Sequence, residues 1–410
     1  MSETPRTPEP EPSWHGLDPN DRDPLRDDDP FPSLAWFREH APVNETPAEL
    51  WRLFRYADVA RVLREIPCGV RRTDGSEPGN AMGGAGETAG QFMLQTDPPT
   101  HTRLRRLVSK AFTPRATEHW RPRARELANR MIDAALDAGE ADVIADLALP
   151  LPSQLICEML GVPVEDRDRF TEWTRVGVKI LRGSFLSDEE RAVILESIEP
   201  LAGYFEALIE ERRAERRDDL LSVMIAAEEE GDRLSPEELL VQSIGLLVAG
   251  FETTIGLIGM GARTLIEHPA ELARLRAEPG LVGSAVEECL RYEGPIGMTT
   301  RVLHADAEFA GRVIPKDTTV WLSLWGANRD PAKFPDSDRF DIARTPNDHL
   351  AFGGGTHLCL GTHLARMEAQ EALGALATRT SLLELASDAR EWSDSLFRVP
   401  ARVPIRLRAV

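Results

Sequence analysis

Apolar residues recur at helical spacing through most of this chain, and at strand spacing only near its two ends and in one late stretch. A short helix is expected over Pro32–His40, followed by strands over Val43–Glu45 and Trp51–Phe54. Val59, Val62 and Leu63 form the apolar stripe of a helix from Ala57 to Glu65, which Pro67 ends. From Thr117 to about Glu230 the pattern is nearly all helical, over 117–137, 152–161, 165–182, 187–214 and 218–229. Breaks fall at Gly139, at Gly161-Val162-Pro163 and at Gly183-Ser184. Ser235-Pro236-Glu237-Glu238 then reads as a helix start, with a serine cap, proline at the first position and glutamate at the third. That helix runs to Glu267-His268-Pro269, far longer than average. It is apolar around most of its girth (Ile244, Leu246, Leu247, Val248, Ile255, Leu257, Ile258), so it must cross the core. A helix over Leu281–Tyr292 follows. Residues 295–325 then switch to β character at Met298–Leu303, Glu308–Ala310, Arg312–Ile314 and Thr318–Ser323. A last helix, 361–378, turns Leu364, Met367, Ala369 and Leu373 inward and Arg366 and Glu368 outward, and strands near 381–385 and 396–408 close the chain.

The pattern predicts a mainly α protein with small β-sheets, an α+β chain. Residues 1–30 are expected to be a disordered or loosely draped tail that starts Pro/Glu-rich. Proline and glycine breaks punctuate the remainder without dividing it, and there are no internal repeats, so 31–410 is expected to be a single domain. With 410 residues, 42% of them hydrophobic, a large core is available. A net charge of −20 argues against nucleic acid as a partner. The four cysteines (Cys68, Cys157, Cys289, Cys359) are too scattered for a disulfide framework and fit a reducing, cytoplasmic setting. Neither a signal peptide nor a run of 18 apolar residues is present, so no membrane span is expected.

Chemistry concentrates in four stretches. In Ala351–Arg366 a glycine-rich loop (Gly353, Gly354, Gly355) runs into Cys359, and Gly361 precedes a helix. A cysteine where a loop becomes a helix is expected to have a lowered pKa and to favour the thiolate, the form that ligates metal. A lone thiolate in a glycine collar suits axial ligation of one metal cofactor. The residues alone equally allow a buried structural cysteine, whereas no second cysteine lies close enough for a zinc site. In Ala249-Gly250-Phe251-Glu252-Thr253-Thr254, polar residues interrupt a buried apolar helix. Gly250 leaves room for something flat, and burying Glu252 without a partner would cost several kcal/mol, which argues for function. A threonine bonding back to a helix carbonyl is the plain alternative. Asp97-Pro98-Pro99-Thr100 starts a helix on which His101 and Arg105, four apart, share a face suited to carboxylates, or simply form a solvated basic face. Glu288 and Arg291, three apart, can pair. The glycine-rich stretch Cys68–Gln95 has little apolar period, and a loop of that length is usually functional or disordered.

Phe352-x-x-Gly355-x-His357-x-Cys359-x-Gly361 resembles the cysteine-ligand loop of the cytochrome P450 superfamily, soluble bacterial class I type. Three further stretches resemble that family in the same order: DPPTHTRLRRLVSKAFTPR, Ala249–Thr254 and EECLRYEGP. The resemblance covers about residues 30–408. It implies the family's triangular-prism fold around a long central helix, heme b (iron protoporphyrin IX) as cofactor and Cys359 as the iron's proximal ligand. It further implies that His101, Arg105, Arg301 and His357 bond the heme propionates, and that Ala249, Gly250, Phe352, Gly353 and Gly361 line the heme. Glu252 and Thr253 become the acid–alcohol pair that delivers protons. Glu288 and Arg291 become a buried pair holding the meander Pro335–Asp341, with Arg344 as third member, and the turn around 178–190 becomes the substrate entrance.

The function so implied is a cytoplasmic monooxygenase that inserts one atom of dioxygen into a small organic substrate, by hydroxylation or epoxidation, in secondary metabolism. Val248, Ile296, Met298 and Phe397, with Leu396, residues 244–253 and the 68–95 loop, are expected to line a mainly aliphatic pocket. No reductase is fused, so electrons should come from a ferredoxin with its ferredoxin reductase, docking on Arg103, Arg106, Lys110 and Arg366. A heme-thiolate catalyst of oxidative coupling, and a non-catalytic heme binder, are the alternatives.

Overall fold

The computed structural model describes residues 29–46, 50–78, 92–166, 169–170, 172–173, 187–227, 234–395 and 397–410. Nearly all of the expected tail, most of the glycine-rich loop, most of the helix expected over 165–182, most of the turn expected around 178–190 and Leu396 lie outside them. The architecture is organised by the helix Pro236–Glu267, 32 residues long. Its start is a complete capping box: Glu238 N–H donates to Ser235 Oγ at 3.0 Å and Ser235 N–H to Glu238 Oε2 at 2.8 Å. The helix is long and apolar enough to cross a membrane, but 72% of its most apolar window is buried inside the protein, as befits a core helix. It packs against the helices Thr362–Thr378, Val282–Glu293, Pro150–Leu160 and Asp188–Ala214. Glycine permits close approach to the first of these: a Cβ at Gly261 would sit 2.8 Å from Leu373 Cδ1.

The strands are β1 (Val43–Glu45), β2 (Trp51–Leu53), β3 (Cys68–Gly69), β4 (Glu140–Asp142), β5 (Met298–Leu303), β6 (Ala307–Phe309), β7 (Arg312–Ile314), β8 (Thr319–Ser323), β9 (Thr380–Leu385) and β10 (Pro404–Ala409). They form a five-stranded sheet in the order β1-β2-β8-β5-β3, a three-stranded sheet β4-β10-β9 and a hairpin β6-β7. All neighbours are antiparallel except β2 and β8. One apolar cluster joins the helices around Pro236–Glu267. A second lies between the five-stranded sheet and the helix Tyr56–Arg64.

The mainly α, small-sheet class is as expected, with local differences. The expected helix 117–137 is two, Pro114–His119 and Arg121–Ala138, because Pro122 starts a second helix. The strand expected over 396–408 exists only as Pro404–Ala409. Before it the chain makes one isolated bridge, Trp392 to Pro400, and Pro400 has no N–H to continue a ladder. The helix Pro269–Ala277 and strand β4 were not anticipated. Glu368, expected to face outward, is buried at 2% exposure, because the helix Thr362–Thr378 is covered on more than its apolar stripe.

Candidate functional site

The loop before Cys359 is held by its glycines. Gly353 and Gly355 have φ of +70° and +65°, a region costly for other residues. A Cβ at Gly355 would lie 2.1 Å from Leu63 O, so only glycine lets this loop lie on the helix Tyr56–Arg64. Cys359 N–H donates to Phe352 O at 3.0 Å, and Thr362 Oγ1 donates to Cys359 O at 2.5 Å. Cys359 is an exposed residue of this loop, and desolvation is the largest influence on its thiol.

The expectation of a lowered pKa at Cys359 is corrected. Burial pushes the thiol up, and the Gly361 N–H, the Thr362 hydroxyl and the guanidinium groups of Arg105 and Arg366 offset this only in part. The helix begins at Thr362, so Cys359 lies beyond the first turn, where the helix dipole is weak.

Around this loop the structure gathers four donors. His101 and His357 lie with ring centroids 4.3 Å apart. His101 is buried and the His357 side chain nearly so, and among the described residues His101 Nδ1 and His357 Nε2 have no hydrogen-bond partner. Asp97 Oδ1 approaches His357 Nε2 at 3.5 Å, an ion-pair distance without hydrogen-bond geometry. Burial, then the cations His357 and Arg105, lower the His101 pKa to about 4. Arg301, on β5, is 6% exposed and among the described residues donates to Thr299 Oγ1 at 3.2 Å and Thr300 O at 2.7 Å. The Arg105 guanidinium makes no hydrogen bond or ion pair among the described residues. Burial lowers the pKa of both arginines. Asp97 could not be singled out from its sequence position at a helix start. Burial opposes its ionisation, but His357 and the N–H groups of Arg71 and Val70 together hold its carboxyl low.

On the central helix, Thr253 Oγ1 donates to Ala249 O at 3.0 Å and Thr254 Oγ1 to Gly250 O at 3.1 Å, so both hydroxyls bond back to the preceding turn. Glu252 is buried and accepts from Ser395 Oγ, 143 residues away, a partner that no sequence pattern indicated. Glu368 lies beside Thr254, and burial pushes its carboxyl up to about 8. A Cβ at Gly250 or at Gly361 would meet no atom within 4 Å.

Glu288 and Arg291 form a fully buried pair, at 2.7 Å (Nε–Oε2) and 2.8 Å (Nη2–Oε1). Arg344 Nε reaches Glu288 Oε1 at 3.2 Å, and Asp341 N–H donates to the same oxygen at 2.9 Å. Arg291 also donates to the carbonyls of Asn328, Ser337 and Arg339. The pair thus clamps the segment leading to the cysteine loop. Of the pocket residues, Val248 lies one turn before Glu252 and Phe397 donates its N–H to Ser395 Oγ at 3.0 Å. Ile296 instead packs on the sheet-side cluster, and Met298 opens β5 opposite Ser323.

Of the cations expected to face a redox partner, Arg103 pairs with Glu238. Arg366 grips Glu287 with two hydrogen bonds (2.6 and 2.7 Å) and lies 4.6 Å over the Phe352 ring.

These features fit a flat, acidic prosthetic group with a metal. Among the described residues His101 Nδ1 has no partner, His357 Nε2 has only the Asp97 carboxylate at 3.5 Å, and Arg105 and Arg301 have no carboxylate in ion-pair contact, a donor set suited to anions. Two glycines leave open faces beside a free thiol, Cys359.

The family model for cytochrome P450 matches residues 74–383. The chain belongs to the cytochrome P450 family, and it is a heme b monooxygenase. Within that family it is of the soluble bacterial kind. It is 39% identical over 391 residues to cytochrome P450 monooxygenase PikC of Streptomyces venezuelae, covering 93% of this chain and 91% of that one. It is 41% identical to mycinamicin IV hydroxylase/epoxidase of Micromonospora griseorubida, covering 87% and 89%. The solved cytochrome P450 PksS of the Bacillus subtilis 168 bacillaene polyketide synthase superposes with a TM-score of 0.83 at 35% identity, covering 93% and 97%.

Proposed function

We propose that this chain hydroxylates or epoxidises a small, mainly apolar organic molecule in the cytoplasm, as part of secondary metabolism, with electrons from a separate ferredoxin and its reductase. The observation that carries the reading is the convergence of four donors on one thiol-bearing loop: His101 and Arg105, whose Nδ1 and guanidinium have no partner among the described residues, and the buried Arg301 and His357, all around Cys359. The names of two relatives, a hydroxylase/epoxidase and a P450 of a polyketide synthase, support the reaction type and the metabolic setting.

In this reading Cys359 ligates the iron, and the four donors hold the two propionates. Gly250 and Gly361 leave the heme faces clear, with Ala249, Phe352 and Gly353 beside them. When bound, the heme supplies the redox chemistry, and a cysteinate ligand favours O–O cleavage. The chain's own work on the distal side is proton handling. Glu252 is a buried acid that can take and give a proton, and Thr253 has a hydroxyl that can relay one. Val248 and Phe397, close to Glu252, form part of the substrate wall, with Met298 and Ile296 further round.

The test is the absorption spectrum of the reduced, carbon monoxide-bound protein. The wild type should give the long-wavelength band of thiolate-bound heme, and Cys359→His should move it to the shorter-wavelength band of imidazole ligation. The long-wavelength band persisting in Cys359→His would overturn the ligand assignment.

A further inference from the structure

The catalytic acid is held from outside its own helix. Glu252 sits in the middle of Pro236–Glu267, and its carboxylate accepts from Ser395 Oγ in the C-terminal turn. Ser395 Oγ in turn accepts the Phe397 N–H at 3.0 Å. That acceptance occupies a lone pair and leaves the hydroxyl proton directed at Glu252. The turn itself is anchored immediately afterwards. Arg398 pairs with Glu293 at 2.7 Å, lies 3.8 Å over the Trp392 ring and donates its N–H to Pro295 O at 2.9 Å. A rigid base therefore carries a hydroxyl that fixes the direction of a buried carboxylate, and the same turn presents Phe397.

We propose that Ser395 is the positioning residue of Glu252, holding its carboxylate toward the C-terminal turn by a hydrogen bond whose direction the Phe397 N–H sets. This rests on the reading of Glu252 as the acid of the distal cavity. Ser395 acts through Glu252. Its effect is on where the carboxylate points, and hence on the field and the proton position that a distal ligand experiences.

The probe is carbon monoxide on the reduced, heme-loaded protein, read as the infrared C–O stretch, which responds to charge placed nearby. Ser395→Ala should shift and broaden the band, and Ser395→Thr, which keeps the hydroxyl, should restore it. Glu252→Ala should also shift it. Adding Ser395→Ala to Glu252→Ala should change nothing further, since the group being positioned is gone. Heme content and unfolding midpoint of each variant, compared with wild type, separate positioning from misfolding. An unchanged band in Ser395→Ala beside a shifted band in Glu252→Ala overturns the proposal and leaves the role of Glu252 intact. So do additive shifts in the double variant. An unchanged band in Glu252→Ala removes the acid from the cavity, and the proposal with it.

Discussion

Glu368 lies fully buried beside Thr254, and the work of stripping water from its charge pushes the carboxyl from an ordinary 4.5 up to about 8. The folded protein therefore keeps this proton between pH 4.5 and 8, while the unfolded chain has released it. Fewer protons on the unfolded state means that stability falls as pH rises through this window. Glu368→Gln, always neutral, should remove that slope. Denaturant midpoints from pH 5 to 9 should show the wild type losing stability relative to the variant, by up to about 4 kcal/mol at the alkaline end. Parallel curves would mean that Glu368 is ionised in the fold. Residue identity was the most legible part of the sequence where the chemistry is local. Cys359, His101 and Arg105 sit in short motifs, and Gly250 stands out against its apolar helix. Glu368 was misplaced because a stripe of apolar residues marks the most buried face of a helix, not the limit of burial. Ser395 and Asp97 were silent because their partners are long-range: Glu252 for one, His357 and the backbone at Val70 and Arg71 for the other.

Two glycines flanking Cys359 do different work, and the difference can be measured. Gly355 belongs to the contact between the cysteine loop and the helix Tyr56–Arg64: its φ is +65° and a Cβ would collide with Leu63 O. Gly355→Ala should cost about 1–3 kcal/mol in backbone strain alone, and more as the loop lifts from Leu63. Both heme content and the unfolding midpoint of the heme-free protein should fall. Gly361 has φ of −78° and open space where a Cβ would stand. Gly361→Ala should leave the heme-free midpoint unchanged and lower only heme retention, assayed by transfer to apomyoglobin. Equal loss of heme-free stability in both variants would contradict this division. Elements were legible wherever a cap and a period agreed, as at Ser235 and along Met298–Leu303. They were illegible where the signal was weak or interrupted. β4 is only three residues long, and proline displaced the expected starts of the helix Arg121–Ala138 and of β10.

At the scale of the whole molecule, a net charge of −20 repels an acidic electron donor at long range, so docking must rely on a local reversal of that field. The helix Thr100–Ser109 and the turn after it provide one. His101 and Arg105 stand with the buried donors near Cys359, while Arg106 and Lys110 are exposed. Arg103 and Arg366 are less exposed and are held by Glu238 and Glu287. A donor on this face would be separated from the site by roughly one helix diameter, about 10 Å. Reversing both exposed charges (Arg106→Glu with Lys110→Glu) should raise KM for a ferredoxin by about 3- to 10-fold at low salt, the range expected of two surface pairs. The carbon monoxide spectrum and the unfolding midpoint should stay as in the wild type. The difference should shrink as ionic strength rises, because exposed charges are screened over about 10 Å at 0.1 M salt. Reversing Arg366 instead should act through Phe352, over which it is stacked, and so alter the heme spectrum as well as KM. An unchanged KM in the Arg106/Lys110 variant would move the docking surface off this helix. A KM effect that persisted at high salt would show that the substitutions act through structure rather than through the field.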